Sequence, residues 1–233
     1  MIRIKHLLPI ILISLISSEI SYAQYQTTRE RTPTSNLDQM RSAAQQNSNN
    51  SFYAIGSPFI NDSFEVVKLD KFGDMLFSAR YNANLGQMQI KRKNDTIALS
   101  NSEDLTITFA LDKKVYKTYS YTNKEGVSKQ GFLVVLKETD SLAILKEEIV
   151  KFYKRKSAVT SYDKEKPAEY KRLKDVYYYK LDNKVSPLPQ KRKDFLKLFP
   201  QHSSELKDYI KKNKISLKKD EDLITLFEYI NTL

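Results

Sequence analysis

Between residues 52 and 182 the apolar positions come in short runs rich in β-branched and aromatic side chains. Polar or glycine-containing breaks interrupt them every 8 to 12 residues. That rhythm belongs to antiparallel sheets and sandwiches, where each strand is brief and each connection is a turn. It predicts strands over residues 65–69, 75–82, 87–91, 96–99, 105–110, 114–122, 129–137, part of 141–153, and 176–181. Alternation is clearest in 114–122, where Val115, Lys117, Tyr119 and Tyr121 share one face and Tyr116, Thr118 and Ser120 the other. Glycine in Lys71-Phe72-Gly73-Asp74, Asn84-Leu85-Gly86 and Asn123-Lys124-Glu125-Gly126 marks hairpin turns between these runs. Residues 141–156 read two ways. Leu142, Leu145, Ile149, Phe152 and Tyr153 fit a helical spacing, yet they directly follow a strand and a turn, which favours a strand beginning at Leu142.

From Pro187 the period changes. Phe195, Leu196, Leu198 and Phe199 make the apolar face of a short helix that Pro200 should end. Ser203 is placed to cap a second helix that buries Leu206, Tyr209 and Ile210, carries Lys211 and Lys212 near its negative end, and closes at Asn213. A third opens on Asp220-Glu221-Asp222 and buries Leu223, Ile224, Leu226, Phe227 and Ile230. Helices this short need partners, and are expected to pack on one another and on the sheet. The expected class is α+β: an antiparallel β-meander or sandwich-like sheet in a β-rich domain over 52–186, then a small C-terminal three-helix subdomain over 187–233. No glycine-rich phosphate loop follows a strand and βαβ alternation is absent, which argues against a doubly wound nucleotide-binding fold.

The first 51 residues follow different rules. Arg3 and Lys5 precede a 12-residue apolar stretch from Leu7 to Ser18, and Ser21-Tyr22-Ala23 supplies small residues for cleavage. This is the layout of a secretory signal peptide, and the stretch is short against the ~20 residues that span a bilayer. Cleavage is expected near Ala23, giving a periplasmic or secreted protein with no transmembrane segment. No cysteine follows for lipid attachment. Residues 24–51, rich in Gln, Asn, Ser, Thr and Arg, offer little to bury and read as a disordered linker, with a marginal helix over 37–44.

Charge and chemistry narrow the picture further. The chain of 233 residues carries a formal charge of +11, which removal of the signal changes to +10. Outside the cytoplasm such a surplus meets acidic glycans and lipid headgroups rather than nucleic acid. Candidate anionic-surface contacts are Lys91, Arg92 and Lys93, and Lys151, Lys154, Arg155 and Lys156 interleaved with Phe152 and Tyr153. Lys191-Arg192-Lys193 forms a third cluster. Solvated surface that maintains solubility is the plainer account of all three. Fifteen tyrosines and no tryptophan suit half-buried sheet faces or a carbohydrate or peptide surface.

Zero cysteines exclude thiol nucleophiles, iron–sulfur clusters and cysteine zinc sites. The two histidines are His6, inside the leader, and His202, beside a helix start. No Ser-His-Asp set, His-Glu-x-x-His or Gly-x-Ser-x-Gly element occurs. The pairs Glu103-Asp104 and Glu147-Glu148 are the nominees for carboxylate hydrolysis, but neighbours on a strand face opposite sides. No catalytic residue, cofactor or metal is therefore expected.

The segments Gly56-Ser57-Pro58-Phe59-Ile60-Asn61-Asp62-Ser63-Phe64, Ala79-Arg80-Tyr81-Asn82-Ala83, Lys191-Arg192-Lys193-Asp194-Phe195-Leu196, Tyr209-Ile210-Lys211-Lys212-Asn213-Lys214 and Asp222-Leu223-Ile224 resemble an uncharacterised family of exported proteins from Bacteroidota, over roughly residues 52–233. The resemblance implies an envelope location, a strand-rich body with a helical tail, and no known activity. Two triplets, Asp95-Thr96-Ile97 and Asp140-Ser141-Leu142, resemble the O-glycosylation pattern of that phylum, which makes Thr96 and Ser141 candidate acceptors. The expected function is non-enzymatic: a binding or scaffold protein of the envelope that contacts an envelope protein, a glycan or an anionic lipid surface. A carboxylate hydrolase of envelope glycan or peptide, and a carrier of lipid or another apolar ligand, are the alternatives.

Overall fold

The computed structural model describes residues 54–233 apart from 94, 102–103, 159–161 and 163. The expected leader, the expected linker over 24–51 and the expected helix over 37–44 fall on residues outside those described, as does Glu103. The described chain is mostly strand, with three short helices at its C-terminal end. Its strands are β1 (Glu65–Leu69), β2 (Leu76–Asn82), β3 (Gln87–Lys91), β4 (Thr96–Ala98), β5 (Thr106–Phe109) and β6 (Val115–Thr122). They continue as β7 (Ser128–Glu138), β8 (Leu142–Glu147), β9 (Val150–Tyr153), β10 (Glu169–Arg172), β11 (Val176–Leu181) and β12 (Lys184–Pro187). The helices are α1 (Arg192–Leu196), α2 (Ser203–Lys212) and α3 (Asp220–Ile230).

Residues 141–153 resolve as two strands, β8 beginning at Leu142 and β9 after a break at Glu148 and Ile149. Two strands escape the periodicity. β12 follows β11 through Asp182 and Asn183, both at positive φ, the two-residue turn whose twist matches a hairpin. β10 is only four residues long, and Tyr170 is its single buried side chain.

Ten strands form one sheet in the order β12-β11-β8-β7-β6-β5-β1-β2-β3-β4. Strands β1 to β4 and β5 to β8 are each a meander, but β1 pairs with β5 and β8 with β11, and a parallel contact of Val185 with Tyr121 joins β12 to β6. That contact makes the arrangement barrel-like: β6, β7, β8, β11 and β12 close around Tyr119, Tyr121, Leu133, Ala143, Leu145, Tyr178 and Val185. So few strands enclose a bore that side chains fill.

Closure means that both faces of a barrel strand are covered, which strict alternation makes legible in β6. Tyr119 and Tyr121 point into the barrel, while Tyr116 packs outside it with Val67, Met88, Ile107, Phe132 and Val134 as the sheet extension folds over β7. The outer face of β8 and β11 presents Leu142, Ile144 and Tyr177 to Phe195, Leu206, Ile210, Leu223, Leu226 and Phe227 of the helices. The helices thus share a core with the sheet, because none is long enough to bury its own apolar face.

Two details depart from the sequence reading. Ser203 does not cap α2 but lies in its first turn. The Pro200–His202 3₁₀ turn runs straight into the helix, so the cap position lacks the extended backbone a capping hydroxyl needs. α1 ends at Leu196, ahead of Pro200, and Leu198 and Phe199 continue in tighter turns bonded to Phe195 and Leu196.

Candidate functional site

β9 and β10 make a separate two-stranded ribbon. Its register places Val150 opposite Arg172, Lys151 opposite Lys171, Phe152 opposite Tyr170 and Tyr153 opposite Glu169, and the Lys156–Lys166 bridge continues that register outward. The even-numbered face begins as Val150, Phe152 and Tyr170, which pack into the main core. Two residues further the same face carries Lys154, Lys156 and Lys166, all exposed. None of these three lysines has an ion-pair partner among the described residues. On the other face Lys151 lies opposite Lys171, and Arg155 bonds Glu165 Oε1 through Nε at 2.6 Å. Like charges placed directly across a ribbon cost stability, and here the arrangement occurs twice.

The base of the ribbon is fixed from the N-terminal side. The Ile55 amide donates to Ala168 O and the Tyr170 amide to Ile55 O, both at 2.8 Å, so residue 55 runs parallel to β10. Gly56 follows at φ +81°, and a Cβ there would lie 2.4 Å from Tyr170 O, so only glycine permits this approach. Arg172 anchors the other side, donating to Ile149 O at 3.1 Å and pairing with Asp175.

Sequence reading named Lys151, Lys154, Arg155 and Lys156. It missed Lys166 and Lys171, which lie 10 to 20 residues on and become neighbours only through strand pairing. The signal available was a second basic stretch, Lys164 to Lys174, with no run long enough to stand out. The other clusters are not brought to the ribbon's strands. Lys91, Arg92 and Lys93 lie exposed at the end of β3, and Lys191, Arg192 and Lys193 are exposed at the start of α1. Thr96 is exposed on the terminal strand β4 and Ser141 in the β7–β8 turn.

Inside the fold, charge is treated differently. Tyr119 donates to Glu138 Oε1 at 3.0 Å, and Lys180 Nζ and Lys117 Nζ approach that carboxylate at 2.8 and 3.3 Å. Burial pushes the Glu138 carboxyl up, but the Lys180 and Tyr119 hydrogen bonds and the Lys117 charge outweigh it and hold it below the ordinary value. Asp220 behaves alike: burial is outweighed by Lys146 and Tyr177, each bonded at 2.6 Å, so the first residue of α3 is tied to the barrel wall. Tyr116 donates to Glu148, which also faces Lys114 at 3.4 Å and Arg172 at 3.6 Å. Burial, then the neighbouring carboxylates, raises the hydroxyls of Tyr116, Tyr119, Tyr121, Tyr177 and Tyr178 far above the ordinary tyrosine value.

Glu147 and Glu148 line one cleft of about 330 Å³ together with Tyr81, Tyr121, Gly131 and Phe132. Strand alternation predicts opposite sides for this pair. The side chains do part in that way, although Glu148 belongs to the break before β9 and both residues border the cleft. Glu147 continues the barrel-facing row of Ala143 and Leu145 and accepts from Tyr121 at 3.1 Å and Tyr178 at 2.7 Å, whereas Glu148 reaches Tyr116 outside the barrel. Two ion pairs commit Glu148 to holding Lys114 and Arg172, so the pair does not form two free carboxyls for acid and base work.

Comparison with protein-family models, with curated proteins and with solved structures finds no match to this chain. No group of three or more metal-ligating side chains occurs among the described residues, and no helix among them is long and apolar enough to cross a membrane.

Proposed function

We propose that this chain is a non-enzymatic binding or scaffold protein of the bacterial envelope, exported through a leader cleaved near Ala23, and that its β9–β10 ribbon holds an anionic partner. The observation that carries the reading is the replacement of Phe152 and Tyr170 by Lys154, Lys156 and Lys166 on one continuous ribbon face, together with Lys151 opposite Lys171. A ribbon selected for stability alone would set acids across from these lysines. One selected to meet phosphate or carboxylate groups would leave them open. The barrel interior is filled by side chains, which gives the lipid-carrier alternative no support.

Co-sedimentation with vesicles of phosphatidylcholine containing phosphatidylglycerol, and with an acidic polysaccharide, tests the ribbon. The expected result is binding to at least one that falls steeply with salt and is lost when Lys154, Lys156 and Lys166 are changed to Glu. Equal binding by that variant and the parent would refute the ribbon's role. N-terminal sequencing of native material tests the leader, with Gln24 as the expected first residue.

A further inference from the structure

We propose that the cleft beside the barrel mouth binds a small ligand through a primary ammonium group, with Glu147 as its counter-ion. This site does not depend on the ribbon reading. Its volume of about 330 Å³ falls at the lower end of small-molecule sites, roughly 300–1,000 Å³, and suits an amino acid or dipeptide.

Three features meet there. The first is charge. Glu147 is half-buried, and the Tyr121 and Tyr178 hydroxyls fix its orientation without cancelling its charge. Every other carboxylate drawn into the tyrosine network has a cation: Glu138 has Lys117 and Lys180, Asp220 has Lys146, and Glu148 has Lys114 and Arg172. Glu147 has none among the described residues. A carboxylate taken partly out of water gains when an opposite charge arrives, and here the position beside it is open cleft.

The second feature is Gly131, fourth residue of β7 and opposite Tyr119. Its backbone is not in the left-handed region, and a Cβ placed there would meet nothing nearer than the Tyr121 ring at 3.7 Å. Neither conformation nor close packing therefore calls for glycine. Gly131 lies on the cleft wall, and the ring of Tyr121, which donates to Glu147, packs over it.

The third is the lining. Tyr81, Tyr121 and Phe132 border the cleft, each more than nine-tenths buried, so its floor is packed side chain. Lys129, exposed on the same cleft, favours a ligand whose other end is anionic, as in a zwitterion.

Isothermal titration of the purified protein with L-alanyl-L-alanine, N-acetyl-L-alanyl-L-alanine and cadaverine tests the proposal. Free dipeptide or cadaverine should bind, the acetylated dipeptide at least tenfold more weakly, and Glu147→Gln should weaken binding at least tenfold. Binding by the dipeptide alone identifies a zwitterion site, and binding by both amines identifies a general ammonium site. Absence of binding by either amine at millimolar concentration would overturn the assignment, as would equal binding of the acetylated form. Should Glu147→Gln fail to fold, Gly131→Val decides. It sets its side chain against the Tyr121 ring and hydroxyl that hold Glu147 at the cleft wall, and unchanged affinity in the folded variant would place any binding elsewhere and end the proposal.

Discussion

The closed barrel and the β9–β10 ribbon are built from the same residue types, tyrosine, lysine and glutamate, yet they dispose of charge in opposite ways. In and around the barrel, each hydroxyl of Tyr116, Tyr119, Tyr121, Tyr177 and Tyr178 is given to a carboxylate, and most of those carboxylates also hold a lysine or arginine. On the ribbon, Lys151 faces Lys171 and Lys156 faces Lys166. Burial decides the matter. A charge taken out of water must be paired and hydrogen-bonded, whereas a solvated lysine tolerates a like neighbour at the cost of a few tenths of a kcal/mol.

The largest test removes a barrel tyrosine. Tyr178 is 1% exposed and fills the bore, so Tyr178→Ala should cost about 3–5 kcal/mol in urea unfolding. Lys156→Ala should shift stability by less than about 0.5 kcal/mol. Comparable losses in the two variants would erase the contrast.

Alkali should attack the barrel next. The fold holds its tyrosines protonated, while an unfolded chain ionises them above about pH 10. Their contribution is complete below that pH and declines as pH rises toward the native values. The loss is up to about 1.4 kcal/mol per tyrosine for each unit of pH. Phenolate absorbance should therefore appear together with loss of tertiary signal. Phenolate forming in the still-folded protein would contradict the network.

Acid gives a smaller effect of opposite sign. Glu138 and Asp220 are held below the 4.5 and 3.8 of free carboxyls, so the unfolded chain takes up their protons first. The stability they lend is present above about pH 4.5 and fades as pH falls through the native values. Urea midpoints measured on Glu138→Gln should lose part of the parent's dependence over that window.

The smallest effect is on the ribbon. Lys171→Glu converts its pairing with Lys151 from repulsive to attractive, so it should raise stability by about 0.2–1 kcal/mol while weakening binding to an anionic surface. A variant that gains stability and loses no binding would separate the ribbon from function.

How much of this was legible beforehand follows from range. β1, β3 and β11 lie at the residues their alternation indicates, because strand periodicity is a local property of neighbouring side chains. Asp182-Asn183 carried the hairpin into β12 in plain sight, as a turn signal rather than an apolar run. The basic character of residues 151–156 was equally visible, but Lys166 and Lys171 belong to that surface only because Phe152 meets Tyr170.

Local pattern indicated most of the strands and the three C-terminal helices, and composition excluded thiol chemistry and made the chain basic. Long-range packing brings β12 back to β6, sends Tyr116 and Tyr119 into different cores, and sets Glu147 and Glu148 on one cleft. Local pattern fixes which face of a strand is apolar. Which partner covers that face, and which charges are left without a counter-ion, depends on residues tens of positions away that meet only when the sheet closes.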